Sequence, residues 1–155
     1  MTDLEETAAG GGLLIATFII GEARFGIDAG KILEVVQTRK TTVIHHAPRF
    51  VVGVMNLRGR VVTVIDLGEK LDVGAVVSSV DNRILIVEWK HEFVGLLVDR
   101  VIEVLSAERN SIEKPPENIH GIQTSLITGV LQDDSGRLTA LLDINHVLDT
   151  EEDKR

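Results

Sequence analysis

The chain has 155 residues, a net charge of −8 and no cysteine. Broad contact with nucleic acid or with an anionic membrane face rests on basic protein surface, so this charge argues against both, and the lack of thiols excludes disulfides and cysteine-ligated zinc. Hydrophobic residues make up 44% of the chain and are mostly Val, Ile and Leu, with one Trp and no Tyr, a composition that favours strands.

Residues 1–12 are polar and end in Gly10-Gly11-Gly12, as expected of a flexible tail. No basic segment followed by an apolar stretch marks a signal peptide, and no apolar run approaches the ~20 residues of a membrane helix. Leu13 to Ile20 reads as a buried strand, Gly21-Glu22 as a turn and Arg24 to Asp28 as its hairpin partner. Ile32 to Gln37 continues as strand, with Thr41 to Ile44 expected to pair near it and a Pro48-containing loop following. Val51 to Leu57 and Val61 to Ile65 flank a turn at Arg58-Gly59, and Asp66 is placed to cap a short helix reaching Leu71. Ile84 to Trp89 and Phe93 to Val98 form a further hairpin, Val101 to Leu105 another strand, and Ser111 to Ser125, with Pro115-Pro116, an irregular connection. Leu126 to Leu131 and Leu138 to Leu142 are the last strands, and Asp143 caps a short helix through Leu148. Residues 150–155 form a charged tail.

The pattern recurs. Gly26, four residues and then Lys31-Ile32-Leu33-Glu34-Val35-Val36 matches Gly95, four residues and then Arg100-Val101-Ile102-Glu103-Val104-Leu105, at an offset of 69 residues (Gly26 to Gly95). Gly59-Arg60 through Asp66-Leu67 matches Gly136-Arg137 through Asp143-Ile144 at an offset of 77 (Gly59 to Gly136). Agreement at Gly, basic and acidic positions sets this apart from chance likeness between Val-rich strands. About five strands per copy suit a small barrel, which leaves no exposed edge. The expected architecture is mainly β: two pseudo-symmetric five-stranded barrels within one unit over residues 13–149. The first spans about residues 20–82, and the second about 83–149 plus the N-terminal strand.

The most specific segment is Gly53-Val54-Met55-Asn56-Leu57-Arg58-Gly59-Arg60, followed by a Val-rich strand and Asp66-Leu67. Gly59 suits a positive φ, Asn56 can bond nearby backbone, and the Arg58 guanidinium needs a carboxylate, with Glu34 and Asp66 as candidates. On these residues alone an ordinary hairpin turn with a solvated arginine is the simpler account. The segment nevertheless resembles the signature of CheW-like domains, the coupling proteins of bacterial chemotaxis. The resemblance extends over about Leu13 to Leu148 and includes Phe25-Gly26-Ile27-Asp28, Pro48-Arg49-Phe50, Val94-Gly95-Leu96-Leu97-Val98-Asp99 and Thr128-Gly129-Val130.

That resemblance implies Src-homology-3-like barrels with a hydrophobic groove between them, no catalytic activity and no cofactor. It implies two partners: the regulatory domain of the histidine kinase CheA and the cytoplasmic helical tip of a chemoreceptor, which would lie in the groove as helices do. It also implies a cytoplasmic protein, monomeric in isolation and recruited to receptor arrays at the inner face of the membrane. Carried onto this chain, Glu34 and Arg58 match receptor-surface positions and are expected to pair. Ile32, Ile84 and Gly95 fall where groove residues would lie. Val35, Thr38, Lys40, Val43, Met55 and Leu57 are candidates for the kinase contact, and Asn56 and Gly59 for shaping the turn.

His45-His46 invites a metal reading, but neighbours on an extended strand point opposite ways and chelate one ion poorly. There is no Gly-x-Ser-x-Gly elbow and no phosphate-cradling loop, and Asp66 and Asp143 are better read as caps than as acid–base groups. The rival readings are a CheW-like scaffold of another receptor–kinase pathway, such as twitching motility, and a barrel that holds a small ligand in its cleft.

Overall fold

Short apolar runs broken by polar turns produce twelve strands and two short α-helices in the computed structural model, which describes residues 12–119 and 121–149. The expected tails fall outside the described residues, apart from Gly12. In chain order the elements begin with β1 (Leu13–Ile20), β2 (Ala23–Asp28), β3 (Ile32–Gln37), β4 (Val51–Leu57), β5 (Arg60–Asp66) and α1 (Leu67–Lys70). They continue with β6 (Arg83–Trp89), β7 (Glu92–Val98), β8 (Arg100–Ala107), β9 (Asn118–Ile119), β10 (Ile122–Gln123), β11 (Ile127–Gln132), β12 (Leu138–Leu142) and α2 (Ile144–Leu148).

The strands form two five-stranded sheets, ordered β3-β6-β7-β5-β4 and β11-β12-β2-β1-β8. The two orders correspond strand by strand. In each, one parallel pair joins two hairpins: Val64 of β5 lies beside Gly95 of β7, and Leu141 of β12 beside Gly26 of β2. In each, the chain leaving one edge strand bonds the other edge. Thr42, just past β3, exchanges backbone hydrogen bonds of 2.8 and 2.9 Å with Val54 of β4, and Glu113, past β8, does the same with Val130 of β11 at 3.0 and 2.9 Å. This contact draws the two edges of each sheet together into a barrel. It also places the Thr41 to Ile44 segment against β4 rather than β3.

The chain is not divided at residue 82, as expected from the sequence. β6 and β7 complete the barrel of β3, β4 and β5, whereas β2 belongs with β1 in the other barrel. Each barrel therefore takes a hairpin from one repeat and three strands from the other. The physical reason is that β2 lies between β1 and β12, and β7 between β6 and β5, so neither has a free edge for the strand that follows it. Ala29–Lys31 forms a single 3-10 turn between β2 and β3, and Asp99 alone separates β7 from β8. The strand that follows each hairpin therefore crosses to the neighbouring sheet, β3 onto β6 and β8 onto β1. Residues 111–125, expected to be irregular, hold the small ladder of β9 and β10, with Ile119 opposite Ile122.

Burial follows this division. Val36, Met55, Leu57, Val62, Val64, Ile84 and Ile86 fill the first barrel. Ile15, Ala107 and Leu141 pack inside the second. The largest cluster joins residues of both, among them Phe18, Phe25, Leu85, Leu96, Val130 and Val147. Asp66 and Asp143 cap the two helices by accepting from Glu69 N at 3.0 Å and His146 N at 3.1 Å. Asp66 also accepts from Val76 N at 3.0 Å, which ties the following connection down.

Candidate docking surfaces

Two edge strands, one from each barrel, border an apolar cleft. β3 and β8 are both bulged. Ile32 and Glu34 of β3 face consecutive residues of β6, leaving Leu33 as the extra residue. On β8, Glu103 and Val101 face Thr17 and Phe18, leaving Ile102 extra. A bulge locally breaks the alternation of a strand and re-aims its side chains. Here it leaves Leu33 54% exposed; Val35 is 45% and Val104 57% exposed on the same two strands. With Ile32, Glu34 and Val101 they line a cleft of about 270 Å³ floored by Phe18 and Leu85.

One rim of this cleft is charged. The Arg58 guanidinium donates to the Glu34 carboxylate, linking the β4–β5 turn to β3. The turn itself holds Arg58 at φ 53° and Gly59 at φ 85°, the left-handed pair that suits a two-residue hairpin. Asn56 Oδ1 accepts from Gly59 N at 2.9 Å and fixes that geometry. The residue matching Arg58 in the second repeat is Ser135, so this rim carries a guanidinium that its pseudo-symmetric counterpart lacks.

The other candidates separate clearly. Thr38, Lys40 and Val43 are exposed on the segment that leaves β3 for β4, beyond the cleft. Val35, expected at the kinase contact, lines the cleft instead. Four candidates are interior and offer nothing to a docking partner. Ile84 is 1% exposed, and Met55 and Leu57 4% each, because alternation on β4 and β6 turns these side chains into the first barrel. Gly95 lies in the same interior, where a Cβ would stand 2.6 Å from Ile84 Cγ2. Its role is to admit the neighbouring isoleucine. Gly26 does the same for Ile15 of the second barrel, at 2.7 Å.

Leu33 and Val104, both exposed, and Val101, half-buried against the core, are cleft residues that the sequence does not single out. The repeat offset carries Val35 onto Val104 and Ile32 onto Val101, so the signal for β8 was present in the duplication. Among the described residues no group of three or more His, Asp or Glu side chains is placed to hold a metal ion, and no helix is long and apolar enough to cross a membrane.

The cleft strands and the closing turn all lie within the part of the chain that is shared with known proteins. Residues 15–152 match the family model of the CheW-like domain. The chain belongs to the CheW family. It is 30% identical over 152 residues to the chemotaxis protein CheW of Rhizobium meliloti (strain 1021), covering 98% of this chain and 97% of that protein. It is 33% identical over 135 residues to the chemotaxis protein CheW of Klebsiella aerogenes, covering 87% and 81%. Its fold is similar to the crystal structure of the scaffolding protein TtCheW from Thermoanaerobacter tengcongensis, with a TM-score of 0.82 and 33% sequence identity over 90% of each chain. The CheW family is a family of non-enzymatic scaffolds, and the mainly β architecture with two five-stranded sheets is its fold.

Proposed function

We propose that the protein is a cytoplasmic chemotaxis adaptor that couples chemoreceptors to the histidine kinase CheA. Membership of the CheW family over nearly the whole chain supports the adaptor role. The observation that carries the receptor assignment is the apolar cleft between β3 and β8 with the Arg58–Glu34 pair at its rim. An exposed apolar trough takes the apolar face of a helix, and a charged rim sets its register. The helical tip of the receptor lies against Ile32, Leu33, Val35 and Val104, with Glu34 and Arg58 as polar guides. The regulatory domain of the kinase meets the exposed segment that carries Thr38, Lys40 and Val43. Catalysis has no part in this role: the protein sets the kinase beside the receptor tips, and weak individual contacts gain from repetition in an array.

The test is direct binding of a receptor signalling fragment and of the kinase regulatory domain to the wild type, Arg58→Ala and Val35→Asp. Both variants are expected to stay folded, because both side chains are substantially exposed. Both should lose the receptor fragment at least tenfold while retaining the kinase domain. Unchanged receptor binding in folded Val35→Asp refutes the cleft assignment. Wild type that binds neither partner refutes the adaptor reading.

A further inference from the structure

The exchange of hairpins between the two repeats has a consequence for how the molecule holds together. Of the eight strand pairings in the two sheets, β1 with β8, β2 with β12, β3 with β6 and β5 with β7 each join the first repeat (β1–β5) to the second (β6–β12). Every sheet partner of β3 and of β8 lies in the other repeat. The largest apolar cluster is likewise shared, with Phe18 and Phe25 from the first repeat packed with Leu96 and Val147 from the second. Neither repeat can close a barrel from its own strands.

The two repeats are equivalent at irregular positions as well as regular ones. Bulges fall at Leu33 and Ile102, and again at Val52 and Thr128. Gly53 and Gly129 each lie where a Cβ would strike the crossing segment, 2.4 Å from Thr42 O and 2.4 Å from Ile112 Cγ2. Bulges and close glycine contacts are specific backbone devices, and their paired recurrence marks one unit used twice. The covalent link between the units follows α1 and runs over residues 72–82. Its middle is exposed at Val77 and Ser78, between two anchored points: Val76 N on the Asp66 carboxylate, and Ser79 N on Asn82 Oδ1 at 3.0 Å.

We infer that the molecule is a strand-exchanged pair of units that recognise each other without their covalent link, so that the partner each half requires is the complementary half, from the same chain or from a second copy of it. In isolation each half leaves unpaired edge strands and half of a shared core, and both are satisfied only by the other half. An exchanged element is interchangeable between copies because the contacts it makes are the same in either.

The experiment uses the full chain with a specific protease site inserted between Val77 and Ser78. A second variant with the site between Gly74 and Ala75 separates damage by the insertion from loss of the link. After folding and cleavage, the nicked protein is expected to elute as one particle at the position of the uncut chain, with its strand circular dichroism intact. Unfolded in urea and diluted, it should refold at a rate proportional to protein concentration, whereas the uncut chain refolds at a concentration-independent rate. Refolded with untagged nicked protein, a tag on the first half of one copy should recover the second half of the other. Separation of the halves without denaturant in both variants overturns the inference. So does refolding of the nicked protein at a rate that ignores concentration.

Discussion

Gly95→Ala tests whether this glycine is a packing device or a contact residue. Its new Cβ would stand 2.6 Å from Ile84 Cγ2 and 3.4 Å from Val62 Cγ1, and both neighbours are effectively inaccessible to solvent, at 1% and 0%. Overpacking of this kind costs about 1–3 kcal/mol, and the smaller backbone entropy of alanine returns about 0.5–1 kcal/mol. The net loss is therefore about 0.5–2 kcal/mol. Ile84→Ala alone empties a core position and costs about 2–5 kcal/mol. It also removes the methyl group that the new Cβ at position 95 would strike, so the double variant should be more stable than the sum of the two losses by about 1–3 kcal/mol, the overpacking cost itself. Urea unfolding of all four proteins measures that coupling, and independent sites add within about 0.5 kcal/mol. Additivity within that range refutes the packing account. Unchanged stability in Gly95→Ala together with lost receptor binding would return Gly95 to the docking surface.

Further outcomes follow from the same structure. Asp66→Ala removes the acceptor of two backbone N–H groups, those of Glu69 and Val76, and should cost about 1–3 kcal/mol in urea unfolding, with Asp66→Asn closer to wild type. The Arg58–Glu34 pair is solvent-exposed, with the arginine side chain at 67%, so a double-mutant cycle on the two should give only ~0.2–1 kcal/mol. His91 holds φ 67° in the β6–β7 turn; His91→Gly relieves that conformation and should raise stability by about 0.5 kcal/mol, read as a higher melting temperature. Asp133 is held down to about 2 from the ordinary 3.8, first by the Ser135 hydroxyl and then by the backbone N–H of Arg137. A carboxylate lowered in the folded state contributes stability that is present above pH 3.8 and lost as pH falls through about 2. Titration by NMR should show that midpoint, and Asp133→Asn should flatten the dependence in that window.

The sequence was sufficient for most local structure. Val and Ile runs bounded by Gly, Asn and charged pairs mark ten of the strands, and Asp at the end of β5 and of β12 marks both helices, because a carboxylate there has a definite backbone donor to meet. The duplication was legible too, through glycines whose reason is steric, Gly26 and Gly95, and through the recurring Asp. Interior and surface positions were harder to separate. Ile84, Met55 and Leu57 look like the same kind of residue as Leu33 and Val35 in a linear reading, since all are apolar residues in strands.

What the chain determined by itself is therefore the list of strands, turns and caps, each set by contacts within a few residues. Which strands share a barrel was decided only in three dimensions, by the pairing of β2 with β12 and of β7 with β5, which leaves neither strand a free edge for the one that follows it. Which apolar residues face solvent was decided there as well. Edge position and bulges expose Leu33, Val35 and Val104, whereas their neighbours point into a closed barrel. Exposure depends on what covers a strand, and the covering strands come from the other repeat.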